Sequence, residues 1–101
     1  MLEKTIEARL RDGVKALGGK AYKFVSPGNS GVPDRLVCLP AGRVVFVELK
    51  APGKTPRPLQ KACHRQLQHM GHSVWVIDSA ERVEEFLDWC RASFVKGAAP
   101  K

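Results

Sequence analysis

The stretch from Gly31 to Lys50 constrains the fold of this chain more than any other. Two apolar runs flank the turn-forming sequence Pro-Ala-Gly-Arg, a pattern that predicts a β-hairpin. Asp34 begins the first strand of this hairpin, and Glu48 and Lys50 end the second. Because side chains alternate along a strand, Glu48 and Lys50 point to the same side. The open end of the hairpin therefore gathers two carboxylates and one ammonium group.

The residues that precede Glu48 favour a functional site at this end of the hairpin. The run from Val44 to Val47 is apolar throughout, which predicts a strand that is buried on both faces. A carboxylate beside such a strand needs a cation as partner. The alternative is an ordinary solvated surface, since Glu and Lys two positions apart at a strand end also occur there.

This pattern resembles the PD-(D/E)XK nuclease signature, because Pro33-Asp34 is followed after the hairpin by Glu48-Leu49-Lys50. The flanking residues resemble the VRR-NUC branch in its small stand-alone form, known from phages and bacteria. They are Ser-Gly-Val before Pro33, Ala-Pro-Gly after Lys50, and Leu59-Gln60-Lys61 further along. The resemblance covers residues 3 to 88. It implies a metal-dependent DNA endonuclease that hydrolyses phosphodiester bonds and selects branched DNA such as four-way junctions.

The resemblance also implies roles for particular residues. Asp34, Glu48 and the backbone carbonyl of Leu49 would bind Mg²⁺ or Mn²⁺, which prefer oxygen ligands. Lys50 would stabilise the charge that develops on the phosphate. Gln60, which cannot titrate, would orient the attacking water or a phosphate oxygen.

A helix-one glutamate completes the implied catalytic set. Glu7 lies at the edge of the apolar stripe of the first predicted helix, and from the residues alone it is an ordinary flanking acid. The resemblance implies that Glu7 joins the metal site, directly or through a water molecule. Glu3 is the alternative.

Hydrophobic periodicity predicts the remaining elements. We expect an α/β fold with a PD-(D/E)XK-like mixed central sheet flanked by helices, in the order α-β-β-β-α-β-α. A single domain would span residues 1–95, and the tail 96–101 would fray. The predicted elements are helix 2–17, strand 20–25, the hairpin 34–50, helix 58–70, strand 73–77 and a last helix that begins with the capping pair Asp78 and Glu81.

The second predicted helix has one apolar stripe, so its inward and outward faces can be assigned. The residues expected to face inward are Leu59, Ala62, Cys63, Leu67 and Met70, with Gln60 at the border. The residues expected on the outer side are Lys61, His64 and Arg65.

The cysteines and histidines carry no strong metal signature. The odd number of cysteines, Cys38, Cys63 and Cys90, predicts buried free thiols rather than a disulfide framework. Three histidines surround one helix end without paired cysteines, which favours a solvated face over a zinc site; they are His64, His69 and His72.

The formal net charge of +7 points to an acidic partner, and nucleic acid fits better than lipid. A non-catalytic nucleic-acid-binding module and a metal-independent interaction protein are the two alternatives to a nuclease.

The acids near the N-terminus do not fit a signal peptide, so we expect a cytoplasmic protein in a bacterial or phage-infected cell. We also expect a homodimer, with Trp89 and Phe94 as candidate interface residues. Trp75 and Trp89 are expected in the core or at an interface rather than as stacking platforms for bases.

Overall fold

The computed structural model describes residues 2–96, with side chains for residues 2–93. None of the helices within this range is both long and apolar enough to cross a bilayer. The elements in chain order are α1 (Glu3–Ala16), β1 (Lys20–Lys23), β2 (Arg35–Leu39), a 3-10 turn (Pro40–Gly42), β3 (Arg43–Leu49), α2 (Pro58–His69), β4 (Val74–Ile77) and α3 (Ala80–Lys96). The predicted α/β fold and its order of helices and strands are therefore confirmed.

The four strands form one mixed sheet in the order β1-β2-β3-β4. The pairs β1–β2 and β2–β3 are antiparallel, and β3–β4 is parallel. The predicted hairpin is β2–β3, in which Leu39 pairs with Arg43 across a tight turn. Ala41 in that turn has a left-handed backbone conformation, with φ 67°. Since β2 and β3 are the inner strands, the open end of the hairpin lies at the middle of the sheet.

The hydrophobic core lies between one face of the sheet and the helices α1 and α3. Both helices contact the sheet and each other. Burial of this apolar surface is the main favourable term in folding. The buried side chains are Ile6, Leu10 and Val14 from α1; Val37, Leu39, Val45, Val47, Leu49 and Ile77 from the sheet; and Val83, Phe86, Leu87 and Cys90 from α3.

The opposite face of the sheet is less covered than the sequence predicted. Val44 is exposed and Phe46 is half-buried, so the prediction that β3 is buried on both faces is wrong. Tyr22 on β1 is also exposed, and the strand ends at Lys23 rather than at Val25. The physical reason is that α2 lies over this face near Glu48 and leaves the β1 side of the sheet to solvent.

The predicted inward face of α2 is only partly correct, because Ala62, Cys63 and Leu67 are half-buried and the residues at its two ends are exposed. Leu59 and Met70 are 58% and 67% exposed, whereas Gln60 and His64 are 7% and 6% exposed. His64 was expected to face solvent, and it is instead one of the buried side chains of this helix. The helix takes this orientation because Gln60 and His64 lie against the buried carboxylate of Glu48.

The start of α3 also differs in detail from the prediction. The hydroxyl of Ser79 accepts a hydrogen bond from the backbone N–H of Arg82 at 3.0 Å. Ser79 therefore caps the helix, and the predicted capping role of Asp78 is wrong, because the helix begins at Ala80.

The two tryptophans are half-buried and pack against the core within their own chain, which is one of the two placements predicted for them. Their rings lie 5.4 Å apart, and Trp75 also contacts Phe86. Arg82 lies over the ring of Trp75 and Arg43 over that of Trp89. Trp89 thus has partners in its own chain, and the side chain of Phe94, the other candidate interface residue, lies outside the described residues.

The three cysteines are free, but they are not equally buried. Cys90 is buried, whereas Cys38 and Cys63 are only half-buried. Burial raises the pKa of the Cys90 thiol to about 11, with Arg43 opposing the shift. The prediction of buried thiols is therefore correct for Cys90 alone.

Candidate active site

The open end of the β2–β3 hairpin brings the predicted acidic residues together. Arg35 pairs with Val47 in the ladder, so Asp34, one position earlier, lies across from Glu48. Alternation along the strands places both carboxylates on the face that α2 covers. Asp34 is half-buried, and Glu48 is 2% exposed.

The carboxylate of Asp34 is fixed by the neighbouring strand. The backbone N–H of Leu49 donates a hydrogen bond to Asp34 Oδ1 at 3.1 Å. Burial raises the pKa of Asp34 to about 6, and the charges of Glu48 and Glu3 add to the rise, while the Leu49 N–H and Arg35 oppose it. An acid with a raised pKa in a charged cluster is typical of a functional site.

Gln60 makes three hydrogen bonds, two that connect α2 to the end of β3 and one to the residue before the helix. Its amide nitrogen donates to Glu48 Oε2 at 2.9 Å. Its amide oxygen accepts from Lys50 Nζ at 2.9 Å and from the backbone N–H of Arg57 at 2.8 Å. The arrangement uses the amide as both donor and acceptor, which fixes its orientation.

Lys50 supplies the positive charge beside Glu48. Its Nζ lies 3.2 Å from Glu48 Oε2, and both side chains are mostly removed from solvent. A buried carboxylate costs free energy unless it is paired and hydrogen-bonded, and Lys50 and Gln60 meet that need at one oxygen. The other oxygen, Oε1, has no hydrogen-bond partner among the described residues.

The local sequence explains why α2 begins beside the site. Pro58 is the first residue of the helix, a position where the missing N–H costs nothing. Gly31, in the loop before Asp34, has φ +93°, and a Cβ there would lie 2.7 Å from the carbonyl oxygen of Leu59. Glycine therefore lets this loop pass against the first turn of α2.

His64 lies on the other side of Glu48. Its Nε2 is 4.0 Å from Glu48 Oε1, and like that oxygen it is buried and without a hydrogen-bond partner among the described residues. Burial and the charge of Lys50 lower the pKa of His64, with Asp34 opposing the shift.

The two candidate acids of α1 differ in their surroundings. Glu7 forms an ion pair with Arg35, whose guanidinium also donates to the backbone carbonyl of Asp34. Glu7 is thus linked to Asp34 through Arg35 and does not meet the two carboxylates directly. Glu3 is exposed, and its charge contributes to the raised pKa of Asp34.

A basic segment adjoins these residues. The sequence from 51 to 77 contains no aspartate or glutamate, and it includes the connection to α2 and the helix itself. Its lysines and arginines are all exposed: Lys54, Arg57, Lys61 and Arg65. The carboxylates therefore lie next to a surface that attracts phosphate groups.

Comparisons with known proteins identify the family. No protein-family model matches the chain. The chain is 54% identical over 79 residues to a protein named "Putative nuclease p44" from Acyrthosiphon pisum secondary endosymbiont phage 1, a match that covers 78% of this chain and 85% of that protein. A solved structure described as a VRR_NUC domain superposes with a TM-score of 0.80 at 33% identity, covering 85% of this chain and 94% of that chain. The chain belongs to the VRR-NUC family of nucleases.

The VRR-NUC fold generally implies a divalent metal ion, and we tested whether the side chains fit one. Within residues 2–93, no three side chains among histidine, cysteine, aspartate and glutamate form a metal-binding group. The site does offer two carboxylates, and the buried, unpartnered Glu48 Oε1 is a donor suited to a cation. Because Mg²⁺ is usually bound by one or two carboxylates and keeps several waters, this donor set fits the ion.

The candidate site also contains His64, which the apolar stripe of α2 predicted to face solvent. His64 is four positions after Gln60, so the two side chains share one face of α2. The resemblance placed Gln60 near the active site, and the same spacing would have placed His64 there too. The apolar stripe of α2 instead predicts that His64 faces solvent, so hydrophobic pattern and the spacing from Gln60 disagree at this residue.

Proposed function

We propose that this VRR-NUC protein is a Mg²⁺- or Mn²⁺-dependent DNA endonuclease. The observation that carries the proposal is the meeting of Asp34, Glu48 and Lys50 at the end of the hairpin, with one oxygen of the buried Glu48 left without a partner. Folding alone does not account for that oxygen, because leaving it unpaired costs about 1 to 3 kcal/mol. Membership of a nuclease family supports the same conclusion.

Asp34, Glu48 and the carbonyl of Leu49 would hold the ion. When bound, a divalent ion neutralises phosphate charge and lowers the pKa of a water molecule. Lys50 would stabilise the negative charge that builds up on the phosphate. Gln60 would keep Glu48 and Lys50 in place through the bonds it already makes.

We propose that the acid of α1 acts at the edge of this site. Glu7 would act through Arg35, which holds the backbone of Asp34, or join the ion through a water. Glu3 is the alternative, because its charge reaches Asp34. Glu7→Gln and Glu3→Gln, made separately, show which of the two glutamates the site needs.

The DNA would be bound through its phosphates by the basic segment 51–65. This segment has exposed cations and no acid, and phosphate contacts give affinity without sequence selectivity. Affinity should therefore fall steeply with salt and depend little on sequence. A flat salt response with a strong sequence preference would contradict this role.

We further propose that the protein acts in the cytoplasm as a symmetric homodimer on branched DNA such as four-way junctions. One small domain offers one site, whereas a two-fold pair presents two sites to a two-fold substrate. Analytical ultracentrifugation at micromolar concentration tests the pairing. A strict monomer that cuts flaps and leaves junctions intact would overturn this part of the proposal.

The central test is cleavage of single-stranded, duplex, flapped and four-way-junction DNA with Mg²⁺ or Mn²⁺. Asp34→Asn and Glu48→Gln should abolish cleavage while the protein stays folded. Glu84→Gln, an exposed acid on α3, is the matched control and should cleave normally. Full activity in EDTA would reject metal dependence, and salt-sensitive binding without cleavage by the wild type would favour a non-catalytic binding module.

A further inference from the structure

Two buried atoms at the site lack partners, and they lie near each other. His64 Nε2 and Glu48 Oε1 are 4.0 Å apart. Among the described residues neither makes a hydrogen bond. Each unpaired buried atom costs about 1 to 3 kcal/mol. The pair therefore calls for one species that a carboxylate oxygen and an imidazole nitrogen can bind together.

The distance between the two atoms is compatible with a metal ion. Donor atoms that bind one ion at about 2.0 to 2.2 Å lie roughly 3 to 4.3 Å apart, depending on the angle between them. Glu48 Oε2 is occupied by Gln60 and Lys50. That leaves Oε1, the oxygen beside His64, to serve as a ligand.

The orientation of α2 indicates that His64 is directed inward for a reason other than apolar packing. The helix buries Gln60 and His64 and exposes Leu59 and Met70. Gln60 has three hydrogen bonds that account for its burial. His64 has none from its Nε2, so a ligand role would supply the missing interaction.

We propose that His64 is a ligand of the divalent metal ion, binding through Nε2 beside Glu48, and that this nitrogen makes the site favour Mn²⁺ over Mg²⁺. The inference rests on the proposed metal dependence of the nuclease. Mg²⁺ binds chiefly oxygen atoms, whereas first-row transition ions bind imidazole more readily. The nitrogen would thus add affinity for Mn²⁺ and little for Mg²⁺.

Pulsed electron paramagnetic resonance of Mn²⁺ bound to the full chain tests the inference without measuring activity. The wild type should show a ¹⁴N coupling that becomes a ¹⁵N coupling when the histidines are labelled. The coupling should disappear in His64→Gln and persist in His69→Gln, an exposed histidine on the same helix. Calorimetry should show Mn²⁺ binding weakened by about 10- to 100-fold in His64→Gln, with Mg²⁺ binding changed by less than about threefold.

The outcomes separate this inference from the proposed function. If Mn²⁺ binds and the labelled wild type shows no histidine coupling, His64 is not a ligand and the metal-dependent nuclease stands. If no Mn²⁺ binds, both the proposed metal site and this inference fail. If His64→Gln does not fold, the histidine-labelled His69→Gln and His72→Gln variants still decide. A histidine coupling that is present in both variants belongs to His64, the one other histidine of the chain.

Discussion

Replacing Gln60 with alanine should loosen the attachment of α2 to the sheet. The change removes three hydrogen bonds, one to Glu48, one from Lys50 and one from the backbone of Arg57. Lys50 keeps its ion pair with Glu48, and Arg57 is exposed so that water can replace its partner; the loss of these two bonds therefore costs little. The bond to the buried Glu48 involves a charged acceptor and is worth about 1.5 to 3 kcal/mol. We therefore expect the free energy of unfolding to fall by about 2 to 3 kcal/mol.

Urea unfolding and thermal melts followed by circular dichroism measure this loss. For a domain of this size, about 2 to 3 kcal/mol corresponds to roughly 10 to 20 °C in Tm. Gln68→Ala is the matched control, because it makes the same substitution at an exposed position of the same helix, where changes are usually within about 0.5 kcal/mol. If both variants unfold at the same urea concentration, Gln60 does not hold α2 to β3 and the reasoning is refuted.

Three further predictions concern the residues around the carboxylates. Lys50→Ala should slow single-turnover cleavage by about 10² to 10³-fold and leave Mn²⁺ binding largely intact; a wild-type rate would contradict its role. Glu7→Gln should lower the free energy of unfolding by about 1 to 3 kcal/mol, because its pair with Arg35 is partly buried, with the two side chains 32% and 12% exposed. Glu3→Gln should weaken Mn²⁺ binding at unchanged Tm if Glu3 is the α1 acid. Gly31→Ala should destabilise the fold by more than Gly28→Ala, since both glycines have positive φ but only Gly31 of the two faces a backbone oxygen. Equal Tm values for the two variants would show that the loop does not pass close to the carbonyl of Leu59.

The hairpin could be predicted from sequence because its signals are local. Two apolar runs and a Pro-Ala-Gly turn fix the pairing of β2 with β3. Once that register is set, Asp34 and Glu48 must lie across from each other. The convergence of these carboxylates with Lys50 therefore follows from the pairing of one hairpin.

The orientation of α2 could not be predicted in the same way. Its periodicity places Leu59 and Met70 on one stripe, and an apolar stripe normally faces the core. The helix instead packs against a charged group, so its inward side is set by Gln60 and His64. Those contacts arise from the packing of a helix on the sheet and not from strand pairing, and hydrophobic pattern carries no information about them.

The burial of Glu48 connects the stability of the fold with the chemistry of the site. Lys50 and Gln60 both bind Oε2, so the contacts that hold α2 in place use only one oxygen of the carboxylate. A purely structural acid would gain from pairing both oxygens, because an unpaired buried acceptor is costly. Proteins retain such unpaired buried groups mainly at functional sites. Oε1 is therefore better explained as a ligand atom than as part of the scaffold, and the same contacts that fix α2 keep it directed toward His64.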